Sequence, residues 1–243
     1  MINFASAWSV VKNLNLAAQR KMVAVQSERA GGLFGKLFGS CSATKLPGSL
    51  ASERDQILAY SKVSFQNDNE LHFDILRSIF IKLTGNYNCP RYGSHWEIIG
   101  FQGKDPAMDL RGAGMLGLLQ ILAFVTSHCE TLKEALAFSL KDKLNPPLCS
   151  SMLGVTLIVM DLVREGRLNG QINSQRSAIN AINNIYFAIY YKIYSTFKNE
   201  NMKIEQYQTL LRDVTEATKR NPHRVLTEFL HGLESGRAYT SHR

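Results

Sequence analysis

From Leu148 to Asn221 the chain contains no proline, while its apolar residues recur every three or four positions. Proline breaks helices by removing a backbone donor and clashing with the preceding turn, so a long proline-free stretch of this period reads as successive helices. Upstream, Leu71, Ile75, Leu76, Ile79, Phe80 and Leu83 form a similar stripe, and Gly85 offers the left-handed residue that ends it. Segments 109–127, 130–142, 148–165, 175–198, 204–219 and 222–235 carry the same period. Pro146-Pro147 and Asn221-Pro222 mark boundaries, because the residue before a proline disfavours helical backbone. No segment alternates with the strand period between hairpin turns. The spacing predicts an all-α fold, a single helical domain of about seven helices.

With 45% apolar residues among 243, the chain can bury a core, which excludes general disorder. No apolar run reaches the roughly 18 residues of a membrane span. The longest, Ala113 to Val125, is interrupted by Gly114, Gly117 and Gln120. Residues 1–30 read as a basic amphipathic helix, with Val10, Val11, Leu14, Ala17 and Ala18 at helical spacing. Residues 31–49 read as a Gly/Ser-rich flexible linker, and 50–243 as the helical domain. The linker start grazes a phosphate-loop pattern, but Ala30 replaces its first glycine and Leu37 its metal-binding hydroxyl.

Cys41, Cys89, Cys129 and Cys149 are far apart, with no C-x-x-C pair, and the six histidines include no H-E-x-x-H. Neither a zinc site nor a disulfide scaffold is expected from such spacing, which suits a reducing, cytoplasmic compartment. The formal charge of +8 invites a nucleic-acid reading. It is unevenly spread: residues 1–50 hold six basic side chains against Glu28 alone, a net +5. Aromatic residues do not interleave with the cations as a base-stacking platform needs, so no nucleic-acid partner is expected.

The stretch from Trp96 to Gly117 stands out, since seven of the 17 glycines lie between Gly85 and Gly117. Gly112, Gly114 and Gly117 satisfy G-x-G-x-x-G, but that motif binds dinucleotides only between a strand and a helix. Here Asp105-Pro106 precedes it, which suggests a helix with Asp105 as N-cap and Asp109 in its positive first turn. Three glycines inside that helix would cost about 1 kcal/mol each relative to alanine. Close approach of another backbone, from a packed helix or a partner, would offset the penalty. Arg111 leaves this turn with Asp105 and Asp109 nearby. It either ties the two carboxylates together or reaches outward while its small neighbours admit a partner.

The residues Trp96-Glu-Ile-Ile-Gly100-Phe-Gln-Gly103-Lys-Asp105-Pro106-Ala-Met-Asp109-Leu-Arg111-Gly112-Ala-Gly114-Met-Leu-Gly117-Leu118 closely resemble the signature of the ELMO (engulfment and cell motility) domain family. Looser similarity extends the match over 66–235. The chain resembles the solo branch, the ELMO domain-containing proteins, and Asn173–Arg176 with Asn183-Asn184-Ile185-Tyr186 resembles the subgroup numbered 3. Met108 departs from the family's usual threonine.

The resemblance implies a GTPase-activating protein for Arf-like and Arf-family small GTPases, an enzyme regulator with no catalytic site of its own. Arg111 falls on the family's implicated arginine, a finger supplied in trans. Asp105 and Asp109 would orient it, and Gly112 and Gly114 would let the GTPase approach. Gln102 would contact the partner or satisfy backbone groups in its own loop. Trp96, Ile99 and Phe101 read as core anchors. Nucleotide and Mg²⁺ belong to the GTPase, so no cofactor or metal is expected here. The competing reading is a non-catalytic module that docks a small GTPase or its exchange factor. A peripheral membrane contact through residues 1–40 is a further expectation, from the basic helix followed by Leu33-Phe34 and Leu37-Phe38. The expected location is cytoplasmic, peripheral on a membrane or cytoskeleton-associated.

Overall fold

The computed structural model describes residues 1–24 and 44–240, the side chains of 235–240 excepted. Among the described residues there are twelve α-helices and no strand. They are α1 (Phe4–Val11), α2 (17–24), α3 (Gly48–Ala59), α4 (Glu70–Thr84), α5 (His95–Ile98), α6 (Gly114–Ser127), α7 (Cys129–Lys141), α8 (Leu148–Arg164), α9 (Asn169–Gln175), α10 (Ala178–Asn199), α11 (Tyr207–Arg220) and α12 (Pro222–Thr240). The all-α expectation holds, and the helix count of about seven is too low. Helices α5 and α9 are shorter than the window in which a helical period can be recognised.

Helix ends follow local chemistry. The Asn69 side chain accepts the His72 N–H (3.1 Å) at the start of α4, and Gly85 ends that helix at φ 72°. The start of α10 is held from a distance: the Glu53 carboxylate of α3 accepts the N–H groups of Ala178 and Ile179, each at 3.0 Å. These are donors that a helix start leaves unpaired, and a carboxylate there also meets the positive end of the helix dipole.

Helix α10 lies at the centre, packed against α3, α6, α8, α9, α11 and α12. Its Ile182, Ile185, Tyr186, Ala188 and Ile189 are buried. Helix α6 is buried from Gly114 through Val125 between α1, α4, α8 and α10. Its apolar run is therefore that of a core helix. No single helix among the described residues is long and apolar enough to cross a membrane, and α6 and α7 are bent apart by 111°.

The N-terminal segment departs from one continuous helix. It breaks over residues 12–16, where the Asn15 side chain accepts the Ala17 N–H (3.2 Å) and starts α2. Both pieces join the domain. Ala7, Val11, Leu16 and Val23 are buried, the Ile2 N–H donates to Ser78 Oγ (2.8 Å), and the Tyr60 hydroxyl donates to the Val11 carbonyl. Of the expected linker, 31–43 lies outside the described residues. Beyond it, Leu46 is buried and the Thr44 carbonyl accepts from Asn169 Nδ2 (2.9 Å).

Candidate functional site

The segment after α5 begins with an anchor. Trp96 is fully buried, meets Phe80 edge-on at 5.4 Å and Phe101 at 6.3 Å, and donates through Nε1 to the Arg91 carbonyl (3.1 Å). Ile99 and Phe101 are buried beside it, as a core role requires. Gly100 lies between them at φ 89°, where an added Cβ would stand 2.5 Å from the Leu148 backbone nitrogen. This close approach lets the Ile99 and Gly100 carbonyls accept the Cys149 and Ser150 N–H groups, at 3.1 and 3.0 Å. The loop thereby caps α8, whose own N-cap residue, Pro147, has no side-chain donor or acceptor to offer.

From Gln102 to Asp109 the chain forms a closed loop. The Gln102 N–H donates to both Asp109 carboxylate oxygens, at 3.2 and 3.3 Å, while the Gln102 side chain is exposed. Burial raises the Asp109 pKa, the Gln102 hydrogen bond opposes the rise, and the neighbouring Asp105 charge adds to it. Asp105 Oδ1 accepts the Ala107 N–H and Asn67 Nδ2, each at 3.0 Å. Asn67 is held in turn by Arg91, which donates to its carbonyl at 2.5 Å and lies 4.2 Å over the Phe73 ring.

The expected α-helix starting at Asp105 is absent. Asp105 instead closes a side-chain turn that runs into a 3₁₀ turn over Asp109–Arg111, and the α-helix begins only at Gly114. An aspartate can accept an N–H two residues on in a turn as readily as it can cap a helix, and here the turn prevails. The three glycines are therefore not all inside one helix, and the penalty of about 3 kcal/mol shrinks to that of Gly117. Gly117 brings α6 against α8, where an added Cβ would meet Leu153 Cδ2 at 2.6 Å.

Arg111 ends the 3₁₀ turn and is exposed. It makes no ion pair with Asp105, Asp109 or any other described residue, so the expected orienting role of the two carboxylates does not hold in this structure. Each acid is spent on closing the loop. The guanidinium instead meets the Met108 thioether, to which Arg111 Nη2 donates. Met108 is itself 58% exposed.

The glycines around Arg111 divide. Gly112 is exposed, and an added Cβ would find only Leu157 Cδ2 at 3.8 Å. Gly114 is buried at φ 55°, where a Cβ would stand 2.6 Å from the Ser61 carbonyl oxygen and 2.8 Å from that of Val63. Its close approach is internal, which corrects the expectation that Gly114 opens a path to a partner. The outer face consists of Met108, Arg111, Gly112 and Leu157, the last on α8 and 44% exposed. Sequence spacing missed Leu157, because α8 carries apolar residues on more than its inner face.

Other chemistry finds little support. Burial pushes the Cys89 thiol up to about 11 and raises Cys149 further, the reverse of what a nucleophile needs. Among the described residues no group of three or more His, Cys, Asp or Glu could hold a metal ion. Two grooves, one of about 670 Å³ between α2 and α3 and one of about 500 Å³ along α10, α11 and α12, are not lined by any residue of 96–117. Arg111 thus lies outside both grooves, on the exposed surface.

Residues 55–211 match the ELMO/CED-12 family. The chain is 30% identical to ELMO domain-containing protein 3 of Bos taurus over 98% of its own length and 64% of the relative's. It is 30% identical to ELMO domain-containing protein 3 of Homo sapiens over 93% of its length and 60% of the relative's. With ELMO domain-containing protein B of Dictyostelium discoideum it shares 26% identity over 66% of its length and 57% of the relative's. The chain spans about 60% of the length of these mammalian relatives. No solved structure matches it.

Proposed function

Because the chain belongs to the ELMO/CED-12 family, whose members associate with small-GTPase signalling, we propose that it is a GTPase-activating protein for Arf-like or Arf-family GTPases, with Arg111 supplied in trans. One observation carries the reading. Arg111 is an exposed arginine with no carboxylate partner among the described residues, held on a 3₁₀ turn beside an exposed glycine where an added Cβ would meet only Leu157 Cδ2 at 3.8 Å.

GTP hydrolysis spreads negative charge over the oxygens of the transferring phosphoryl group, and an arginine delivered from outside stabilises that charge by roughly 10³–10⁵ in rate. The planar guanidinium can donate two parallel bonds to phosphate oxygens, which a lysine cannot. An arginine already paired with Asp105 or Asp109 would have to break that pair first. Here the carboxylates fix the loop through Gln102, Ala107 and Asn67 and leave the guanidinium free of them. Gln102, Gly112, Met108 and Leu157 make the contact face, while Asp105, Asp109 and Gly114 act by shaping it. The nucleotide and Mg²⁺ come with the GTPase, and the site of action is the cytoplasm.

The Met108 contact favours a second reading, in which the domain docks a GTPase or its exchange factor without accelerating hydrolysis, its arginine held back by the thioether. Single-turnover hydrolysis across a panel of GTP-loaded Arf-family proteins separates the two. Stimulation that vanishes in Arg111→Ala, with an unchanged melting temperature, supports the finger. Binding without stimulation supports the docking module.

A further inference from the structure

The N-terminal helices present an outer face that the Arg111 chemistry does not use. Residues 1–24 contain Lys12, Arg20 and Lys21 and no acid. On α2 the exposed positions are Ala17, Ala18, Lys21, Met22 and Ala24, one face of a helix, while Val23 turns into the core. The turn before it exposes Lys12 and Leu14, and Val10 lies exposed one turn earlier on α1. The large apolar side chains here are well out in solvent: Val10 at 52%, Leu14 at 44% and Met22 at 55%.

The cations of this face differ in how far they are committed. Arg20 is spent internally, donating to Gln56 Oε1 (2.8 Å) and to the Ser52 carbonyl (3.2 Å). Lys12 and Lys21 have no ion pair among the described residues. The acids of the adjoining α3 do not offset them, since Asp55 pairs with Arg54 at 2.7 Å and Glu53 holds the start of α10. Beside Lys21 the groove between α2 and α3, about 670 Å³, is lined among the described residues by Arg20, Lys21 and Arg54, with Asp55 the one acid of that set.

Apolar side chains set among unpaired lysines, with no acid, match an anionic bilayer surface. Lysine stems and apolar tips enter the boundary region while the ammonium groups stay among lipid phosphates. We infer that α1, α2 and the turn between them form a docking face for anionic membranes. This refines a membrane contact spread along residues 1–40, because residues 1–24 carry it as a folded surface.

The placement bears on Arg111 without depending on its role. Helix α1 runs along α6: the Phe4 N–H meets Thr126 Oγ1 near one end of α6, and Val11 meets Tyr60. The next residue, Ser61, abuts Gly114 at the opposite end of α6, where Arg111 lies. The docking turn and Arg111 are therefore toward the same end of α6.

The test is co-sedimentation of the full chain with phosphatidylcholine vesicles, with and without about a third phosphatidylserine. The full chain should bind only the anionic vesicles and detach as salt rises from about 0.1 M to about 1 M. Lys12→Gln with Lys21→Gln should weaken vesicle affinity roughly thirtyfold, at about fivefold per lysine. Leu14→Glu with Met22→Glu should remove binding, with an unchanged melting temperature showing an intact fold. No binding by the full chain overturns the inference. So does binding that falls less than threefold in the lysine variant, which would put the contact elsewhere on the chain or in a protein partner. GTPase stimulation measured without membranes is unaffected by either result.

Discussion

Replacing Gly114 with alanine separates the glycine that builds the site from the one that borders its partner. At φ 55° an alanine is in left-handed backbone, which costs about 1–2 kcal/mol. Its Cβ would stand 2.6 Å from Ser61 O, 2.8 Å from Ser61 C and 2.8 Å from Val63 O, all backbone atoms that cannot swing aside. Overpacking of this kind costs about 1–3 kcal/mol. The Met115 N–H to Val63 O bond (2.9 Å) joins the same two segments, and losing it adds about 1 kcal/mol. Gly114→Ala should therefore destabilise by about 3–6 kcal/mol and lower Tm by roughly 10 °C or more in a chain of this size.

Gly112→Ala is the control. Its backbone is at φ −79° and its Cβ meets only Leu157 at 3.8 Å, so alanine should leave stability within about 0.5 kcal/mol of the parent or raise it slightly. Urea titration of both variants, followed by circular dichroism, measures the difference. A Gly114→Ala protein within about 1 kcal/mol of the parent would refute the internal role of Gly114.

Three further outcomes are expected. Burial raises the Asp109 pKa above its usual 3.8, so folding favours the protonated acid; the stability this group confers is complete below that value and lost as pH rises through the raised one. Asp109→Asn keeps an acceptor for the Gln102 N–H and should gain on the parent as pH climbs out of that window, in denaturant titrations from acid toward neutral pH. Met108→Thr removes the thioether from Arg111 and should speed GTPase stimulation about two- to fivefold, as release of a weak contact allows, with Tm changed by less than about 2 °C. Gly112→Ala should lower GTPase stimulation severalfold despite its intact stability, since only its partner-facing space changes.

Much of the fold is legible in local sequence. The stripe from Leu71 to Leu83 and the stop at Gly85 appear as α4 and its left-handed cap, and Pro147 immediately precedes α8. The break between α1 and α2 was written in Asn13 and Asn15, whose short side chains bond Ser9 O and the Ala17 N–H, but apolar spacing alone runs across it. At the site, the outward reading of Arg111 agrees with its exposure. The fate of the two carboxylates could not be read from spacing. Asp105 is claimed by Asn67, far away in sequence, and Asp109 by a backbone donor across the loop. Glycine roles were similarly hidden, because Gly100 and Gly114 answer to Leu148 and Ser61, which only the tertiary fold brings near.

The central claim is that Arg111 acts on the GTPase and not on its own domain. Single-turnover GTP hydrolysis by the most responsive Arf-family protein, with the parent chain and with Arg111→Lys, tests it most directly. The lysine variant should keep its Tm and its GTPase binding and lose at least about a hundredfold of the stimulated rate, because lysine cannot supply the planar two-bond contact. Full stimulation by a folded Arg111→Lys chain would contradict it.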